Sequence, residues 1–329
     1  MVKKYWEDRK VFVTGATGLV GGWLIKKLIE LNSDVVVLIR DFVPNSTFMK
    51  QKFFEKVTVI NGDLSDSVFL RRVLNEYEVT NIIHLAAQTT VPIANRSPIS
   101  TYESNIRGTW NLLEASNFEK KIIKSVVIAS SDKAYGESRT LPYTEETPLN
   151  AIYPYDVSKA CADLISRSYA NVFDVPVAIT RCGNFFGGGD LNWNRLIPGT
   201  IRSLIKKQQP IIRSNGNLIR DYIYVEDVVS AYIKLSEFLS HNIEIKGQAF
   251  NFSNESKKTV LDITNLIIKL IKSNLEPIIM NEGENEISEQ FLDASKAKKN
   301  LGWQPEYKIE EGLRKTINWY KEYFDANQL

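Results

Sequence analysis

Short apolar runs without polar alternation recur along the first half of the chain and alternate with amphipathic stretches. The runs occupy residues 11–14, 34–39, 57–60, 81–85, 125–129 and 175–181. Runs of this kind are typical of parallel strands that are buried on both faces of a sheet. The amphipathic stretches between them, such as residues 22–31, predict helices. The alternation therefore predicts an α/β fold with a doubly wound parallel sheet.

The pattern changes after residue 185. Three consecutive glycines, a tryptophan and a helical pattern at residues 198–207 follow in place of further buried runs. We expect residues 186–329 to form a smaller, mixed α/β cap that closes over a ligand. Residues 248–253 are again strand-like, so a segment of about 222–254 is expected to return to the main sheet.

Composition adds exclusions to this picture. The 329 residues include 43% apolar and 24% charged residues, and the formal net charge of +2 gives no case for nucleic acid or an anionic membrane. The apolar runs are too short to cross a bilayer, and the N-terminus lacks the apolar core of a signal peptide. Two cysteines and two histidines show no disulfide framework and no metal spacing. A reducing cytoplasm is the expected location.

A glycine-rich turn follows the first predicted strand and precedes the first predicted helix. Glycines let the backbone turn sharply and approach a pyrophosphate, whose charge then lies at a helix N-terminus. A plain structural turn does not explain three glycines at this spacing and position, so we expect a Rossmann domain that binds NAD(P) over residues 1–185. The expected contacts in the turn are Gly15, Thr17, Gly18, Leu19, Val20 and Gly21.

The end of the second predicted strand bears on the choice between NAD and NADP. A carboxylate there binds the ribose 2′-hydroxyl, whereas an arginine accommodates a 2′-phosphate. The chain offers both, as Arg40 and Asp41, and we favour NADP without excluding NAD. Asp63 and Leu64 follow the third predicted strand and are expected to meet the adenine, although Asp63 is equally suited to cap a helix.

Two short motifs carry the candidate chemistry. Tyr155 and Lys159 lie one turn apart on one face of a predicted helix, so the ammonium is expected to lower the pKa of the phenol. Ser131 adds a hydroxyl to the same site, and together the three groups suit proton removal from an alcohol that passes hydride to a nicotinamide. Asp132 and Lys133 add an acid and a base beyond what alcohol oxidation needs, which indicates a multistep reaction on a sugar.

With these motifs the chain resembles the extended short-chain dehydrogenase/reductase family of nucleotide-sugar enzymes. Within that family it is most similar to the nucleotide-sugar 4,6-dehydratases, above all those that act on CDP-glucose. The resemblance covers nearly the whole chain. It rests on the segments 13–21, 84–88, 104–109, 131–136, 155–159, 181–184, 187–190 and 220–227.

The resemblance implies roles for these residues. Tyr155, assisted by Lys159 and Ser131, would deprotonate the sugar 4-hydroxyl while the nicotinamide takes hydride from C4. A base would then remove the C5 proton, Asp132 would protonate the departing 6-hydroxyl, and hydride would return to C6. The product would be a 4-keto-6-deoxy sugar nucleotide. Further cofactor contacts are implied for Leu85, Ala86, Ala87, Gln88 and Asn105.

Lys133 departs from the pattern of many family members, which carry a glutamate there as the C5 base. A lysine can act as a base only where burial or a neighbouring cation lowers its pKa. Two other roles stay open for Lys133. It either remains charged and stabilises the C5 enolate, or it merely pairs with a carboxylate at the edge of the cleft.

The resemblance also places substrate contacts. Asn184 and Arg220 match positions that contact the nucleotide diphosphate, and an arginine suits a phosphate because its planar fork donates two parallel hydrogen bonds. Thr89 and Thr90 are expected near the sugar. The nucleotide base is expected near Asn192, Trp193, Asn194, Arg195, Leu196 and Arg213.

Two other functions compete with the dehydratase. A 4-epimerase or 4-reductase of the same family would use Tyr155 and Lys159 without elimination, and the Asp132-Lys133 pair argues against it. A non-catalytic dinucleotide sensor would share the fold, but it would not need the complete set of reactive side chains. Relatives of this type form homodimers through two helices of each subunit, and we expect the same here through residues 102–116 and 154–173.

Overall fold

The computed structural model describes residues 2–282 and 287–327 and is built around one large parallel sheet. Its strands are β1 (Lys10–Thr14), β2 (Asp34–Ile39), β3 (Thr58–Asn61), β4 (Asn81–His84), β5 (Ser125–Ala129), β6 (Val177–Cys182), β7 (Asn184–Phe186), β8 (Ile211–Ile212), β9 (Ile219–Tyr224), β10 (Ala249–Phe252), β11 (Lys257–Thr259) and β12 (Ile278–Ile279).

Helices connect most of these strands. The α-helices are α1 (Val2–Trp6), α2 (Leu19–Glu30), α3 (Thr47–Lys50), α4 (Ser67–Glu76), α5 (Val91–Arg96), α6 (Pro98–Tyr102), α7 (Gly108–Phe118), α8 (Pro154–Phe173), α9 (Leu196–Ile205), α10 (Val225–His241), α11 (Val260–Ile271), α12 (Ser295–Leu301) and α13 (Ile309–Asn327). Single turns of 3₁₀-helix occur at Phe53–Glu55, Asp132–Tyr135 and Ile243–Ile245, and a π-helical turn at Glu103–Arg107 joins α6 to α7.

The large sheet has seven strands in the order β3-β2-β1-β4-β5-β6-β10, and every pair is parallel. The predicted doubly wound sheet is therefore confirmed, including the strand expected at residues 248–253, which pairs with β6. The chain order reverses between β1 and β4. In open sheets of this kind, ligands bind outside the carboxyl ends of the strands at such a reversal.

The long apolar runs have a simple explanation, because both faces of the sheet are covered. In β1, Val11 and Val13 join the core shared with α2 and α10, while Phe12 points into the opposite core with α4 and α7. Successive side chains of a strand point to opposite faces, so most positions in such a strand are apolar. Within the described residues, no helix has both the length and the apolarity needed to cross a membrane.

Two small sheets lie outside the large one, in the orders β11-β9-β7 and β12-β8. Residues 222–224, which we expected to return to the large sheet, belong instead to β9 and pair with β7. The return begins later, with α10, which packs against β5 and β6, and is completed by β10. The division of the chain into units at residue 185 stays a prediction.

Candidate active site

A cleft of about 520 Å³ opens at the carboxyl ends of the strands where the chain order reverses. Its walls come from the segments that follow β1, β2, β3 and β4, together with the first turns of α8. The cleft brings together most of the residues that we predicted for the cofactor. Those that line it are Gly15, Thr17, Gly18, Leu19, Val20, Gly21, Arg40, Asp41, Asp63, Leu64, Leu85, Ala86, Ala87, Gln88, Tyr155 and Lys159.

The glycine-rich turn packs so tightly that Gly15 and Gly21 leave no room for a side chain. A Cβ atom on Gly21 would lie 2.1 Å from the Gly15 carbonyl oxygen, and one on Gly15 would lie 2.8 Å from the Ala86 backbone nitrogen. Helix α2 begins at Leu19, after Gly18, and no side chain caps its N-terminus. Leu19, Val20 and Gly21, the first residues of that helix, line the cleft, and a helix N-terminus there suits the pyrophosphate of a dinucleotide.

Arg40 lies between two carboxylates at the end of β2. Its Nε donates to Asp41 Oδ2 at 2.7 Å and lies 4.0 Å from Asp63 Oδ2. Burial favours the neutral form of Asp63, but hydrogen bonds from Ser65 and the Arg40 charge outweigh it and hold the pKa of this carboxyl below its usual value. Arg40 is therefore already partnered by carboxylates.

The segment after β4 is fixed by hydrogen bonds to its backbone. The Ala86 N–H donates to Thr14 Oγ1 at 3.2 Å, and the Gln88 N–H donates to Asn105 Oδ1 at 2.7 Å. Asn105 also donates to the Gln88 carbonyl at 3.1 Å and is buried behind the wall of the cleft rather than exposed on it. It acts on the cleft by fixing the Gln88 backbone, which differs from the direct cofactor contact that we expected.

Tyr155 and Lys159 lie on one face of α8, as their spacing predicts, and both are buried. Lys159 Nζ donates to the Ala129 carbonyl at 2.7 Å, and burial lowers the pKa of its ammonium to about 8. The expectation that the phenol has a lowered pKa is wrong for this structure. Burial raises the pKa of Tyr155 and the Asp132 charge adds to this, while a hydrogen bond with Ser131 works in the opposite direction.

Asp132 is the most enclosed acid of the site. It begins a short 3₁₀ turn after β5, and its Oδ1 accepts from Ser131 Oγ at 3.0 Å. Burial raises the pKa of Asp132 above its usual value, although the Lys133 and Arg220 charges partly oppose this. Burial thus favours the neutral form of this carboxyl, which is the form that can donate a proton.

Lys133 follows Asp132 and is half-buried. Its Nζ donates to Gln290 Oε1 at 3.4 Å. Its charge also reaches Asp156, the residue after Tyr155, whose pKa burial raises to about 6 despite that charge. Lys133 therefore lies among Asp132, Asp156 and Gln290, beside the Tyr155 end of the cleft.

The predicted substrate residues fall into separate groups. Arg195 bridges to Thr89, which also lines the cleft, with Nη2 3.3 Å from Thr89 Oγ1, and to Asp190 at 2.9 Å. Arg213, which follows β8, donates to Oδ1 of Asn194 at 3.1 Å. Asn194 directly precedes Arg195 in the chain.

The others lie in or beside the small sheet and α9. Arg220 is buried in β9, close enough to Asp132 to affect its pKa. Asn184 in β7 donates to the Asp221 carbonyl at 3.4 Å. Leu196 begins α9 and packs against the core.

The cleft also contains residues that sequence reasoning missed, and they differ in the signal they left. Ala129 is the last residue of β5 and Ser130 follows it. Their place in the cleft could have been predicted, because both lie at the carboxyl end of a predicted strand. Val43, Phe185 and Tyr232 also line the cleft. They come from a loop, β7 and α10, and no local pattern marks them.

Comparison with known proteins agrees with this geometry. Residues 12–316 match the family described as GDP-mannose 4,6 dehydratase. The CDP-glucose 4,6-dehydratase of Salmonella typhimurium is 34% identical, with 99% of this chain and 94% of that protein covered. A putative UDP-glucose 4-epimerase of Methanocaldococcus jannaschii is 32% identical, with 94% of this chain and 98% of that protein covered.

Solved structures show the same architecture. A dTDP-glucose 4,6-dehydratase of Bacillus anthracis, determined in complex with NAD, superposes with a TM-score of 0.84 at 25% identity over 96% of this chain and 98% of its own. A UDP-glucose 4-epimerase of Thermotoga maritima, determined with UDP-glucose, gives a TM-score of 0.85 at 25% identity over 96% and 99% of the two chains. The chain belongs to the GDP-mannose 4,6 dehydratase family.

Proposed function

We propose that this protein is a nucleotide-sugar 4,6-dehydratase, with CDP-glucose as its first candidate substrate. The activity converts a nucleotide-linked hexose to its 4-keto-6-deoxy form with loss of one water. The similarity to the CDP-glucose 4,6-dehydratase of Salmonella typhimurium over 99% of the chain supports the choice of substrate.

The observation that carries the proposal is the environment of Asp132. Oxidation at C4 alone, as in an epimerase, needs a base for the 4-hydroxyl but no acid for the 6-hydroxyl. This chain has a buried carboxyl with a raised pKa beside Tyr155 and Lys159. A carboxyl with a raised pKa in that place suits elimination, because the departing 6-hydroxyl must be protonated as it leaves C6.

The roles of the other residues follow from their contacts. Tyr155 is placed to take the proton of the sugar 4-hydroxyl as its phenolate, which burial disfavours. The hydrogen bond from Ser131 and the positive charge of Lys159, one helical turn away, favour that phenolate. Lys133, which lies beside Asp132 and contacts Gln290, would either remove the C5 proton or stabilise the enolate. The glycine-rich turn and the segment after β4 would hold a nicotinamide dinucleotide, which supplies the hydride acceptor for C4 and the hydride donor for C6.

Mass spectrometry of the purified protein tests this function. It is incubated with CDP-, GDP-, UDP- and dTDP-hexoses, with no reductant added. Loss of one water from one nucleotide sugar is the expected result and identifies the substrate. Isomerisation at unchanged mass would instead make the protein an epimerase. Asp132 would then not act as an acid for elimination, because an epimerase removes no water.

For the cofactor, we propose NAD in place of the NADP that the sequence favoured. Arg40 already has Asp41 at 2.7 Å and Asp63 at 4.0 Å, so the three groups together carry a net negative charge. A 2′-phosphate placed there would be repelled, whereas a ribose hydroxyl can donate to a carboxylate. The Bacillus anthracis neighbour was determined in complex with NAD, which supports the same choice.

The nucleotide released from the denatured protein identifies the cofactor directly. Asp41→Asn is expected to raise the affinity for NADP relative to NAD, because it removes one of the two carboxylates beside Arg40. Asp34→Asn is the matched control, since Asp34 lies at the opposite end of β2 and pairs with Lys10. Release of NADP from the unmodified protein would contradict the proposal.

We also propose that the protein forms a homodimer through α7 and α8. Large apolar side chains are exposed on both helices, among them Trp110 and Phe118 on α7 and Leu164 and Val172 on α8. A second copy of the same surface would cover them. Light scattering is expected to give twice the mass of one chain. The Leu164→Glu variant is expected to have the mass of a single chain.

Ile211→Glu is the control for this experiment, because Ile211 is 58% exposed on β8, in a small sheet with β12 rather than on α7 or α8. A monomer mass for the unmodified protein would contradict the dimer. The cytoplasmic location stays a prediction from the cysteine content.

A further inference from the structure

Buried polar atoms without a hydrogen-bond partner concentrate beside Lys133. Among the residues that the structure describes, four such side-chain atoms occur, and three of them are Asp132 Oδ2, Asp221 Oδ1 and Gln290 Nε2. Each buried polar atom left in this way costs about 1–3 kcal/mol. Native proteins rarely accept that cost without a reason, and a bound polar ligand is one such reason.

The three atoms belong to one neighbourhood. The Asp132 charge raises the pKa of Asp221, so the two carboxyls lie within electrostatic reach of each other. Gln290 contacts Lys133, the residue next to Asp132. Two carboxyls and one amide with unpartnered atoms thus belong to one part of the protein, and such groups suit the hydroxyl groups of a sugar.

The backbone around Gln290 is held on both sides. On one side the Gln290 N–H donates to the Ile219 carbonyl at 3.0 Å and the Leu292 N–H donates to Asp221 Oδ2 at 3.2 Å. On the other side the Tyr143 N–H donates to the Phe291 carbonyl at 2.9 Å. The segment thus lies between β9 and the loop at Tyr143, and Gln290 is fully buried.

The contact with Lys133 also orients the amide. An ammonium group has only donors, so the atom of Gln290 that faces it must be the oxygen, at 3.4 Å. The Nε2 atom then has two N–H donors and no acceptor among the described residues. Gln290 is therefore satisfied by the protein on its oxygen side and unsatisfied on its nitrogen side.

We propose that Gln290 contacts the sugar of the substrate, with Oε1 holding Lys133 toward C5 and Nε2 donating to a sugar oxygen. This inference rests on the proposed function and deepens it, because it assigns a residue to the same site. Gln290 takes no proton and forms no bond to the sugar. It fixes the distance between Lys133 and the carbon that loses its proton, which elimination needs and C4 oxidation does not.

Two substitutions separate the two contacts. Gln290→Leu removes both, and because it also removes a buried donor without a partner, the fold is expected to survive with little change in melting temperature. Gln290→Glu keeps an acceptor for Lys133 and removes the donor to the sugar. Glu289→Gln is the matched control, since Glu289 is the exposed neighbour on the same segment.

The experiment uses the purified protein with its bound cofactor and CDP-glucose. Gln290→Leu is expected to bind CDP-glucose about tenfold more weakly in calorimetry, the equivalent of one hydrogen bond, while its affinity for CDP stays unchanged. In a single turnover, absorbance of the reduced nicotinamide is expected to rise as in the unmodified protein and then decay about 10- to 100-fold more slowly. Gln290→Glu is expected to bind CDP-glucose as weakly as Gln290→Leu does. Its effect on the decay of the reduced-nicotinamide absorbance is expected to be smaller than that of Gln290→Leu.

Two results would overturn the inference while the proposed function stands. One is unchanged binding and unchanged decay in Gln290→Leu. The other is an equal loss of affinity for CDP and CDP-glucose together with a lower melting temperature, which would make Gln290 a structural residue. If the unmodified protein binds CDP-glucose without eliminating water, the proposed function fails, and the calorimetric comparison alone then decides whether Gln290 contacts the sugar.

Discussion

Removing the guanidinium of Arg181 is expected to destabilise the protein more than the loss of any surface ion pair. Arg181 lies in β6 and donates from Nε and Nη2 to the two carboxylate oxygens of Asp163 in α8, at 2.7 and 2.9 Å. Both side chains are almost completely buried, with 1% and 0% of their surface exposed. A third donor, Nη1, reaches the hydroxyl of Tyr135 at 2.9 Å.

The magnitude follows from what each substitution leaves behind. Arg181→Met leaves the Asp163 carboxylate buried without its counterion, which costs about 3–5 kcal/mol of unfolding free energy. That is a large part of the roughly 5–15 kcal/mol that stabilises a typical protein. The double variant with Asp163→Asn should lose less than Arg181→Met alone, because a buried amide costs less than a buried charge.

Urea denaturation of the single and double variants measures these differences. Arg72→Met is the control, because Arg72 pairs with Glu76 at 2.6 Å on the surface, with half of each side chain exposed, and should lose about 0–1 kcal/mol. A double variant whose loss equals the sum of the two single losses would refute the reasoning. The same variants also test positioning of the site, since α8 carries Asp163, Tyr155 and Lys159.

Three further predictions concern the cleft and the buried acids. Gly21→Ala is expected to lose the bound cofactor, because its Cβ would lie 2.1 Å from the Gly15 carbonyl oxygen. Gly18→Ala should lose less cofactor, because its Cβ would lie 3.3 Å from the same oxygen. The nucleotide content of the two purified variants measures the difference. Asp132→Asn is expected to stop elimination while reduced nicotinamide still forms, and normal loss of water would exclude Asp132 as the acid. Asp221 has a pKa raised from 3.8 to about 7 by burial, so the folded state keeps a proton that the unfolded state loses above pH 4. Asp221 should therefore lower the stability as the pH rises from 4 to 7, by a few kcal/mol at most. Asp221→Asn should weaken this dependence in urea midpoints, whereas the part that comes from Asp132 and Asp156 should remain.

Much of the fold could be predicted from the sequence because its signals are local. Residues 34–39 and 125–129 form strands with the predicted bounds. Their runs of apolar residues indicate strands that are covered on both faces of the sheet. The glycine-rich turn was equally clear, because its spacing and its place between strand and helix are both read from one short segment. A mixed α/β part after residue 185 was predicted, but the strands of its sheet and their pairing were not. Its central strand, β9, pairs with β7 and β11, which lie far from it along the chain.

The candidate site divides in the same way. The spacing of Tyr155 and Lys159 fixes their common face through helix geometry, so the sequence alone placed them together. The pKa of Tyr155 depends instead on how much protein surrounds the phenol, and burial raised it where the helix spacing had suggested the opposite. Asn105 is a similar case, because only its partner Gln88 shows that it holds the wall of the cleft.

The sequence by itself determined the sheet, the glycine-rich turn and the set of candidate reactive side chains. The tertiary structure decided which polar groups meet: Arg40 lies between two carboxylates, and Lys133 contacts the amide of Gln290, which is 157 residues away along the chain. The physical reason is that periodicity reports the environment of a residue within one element. Contacts between distant loops depend on the path of the whole chain, and no local pattern records that path.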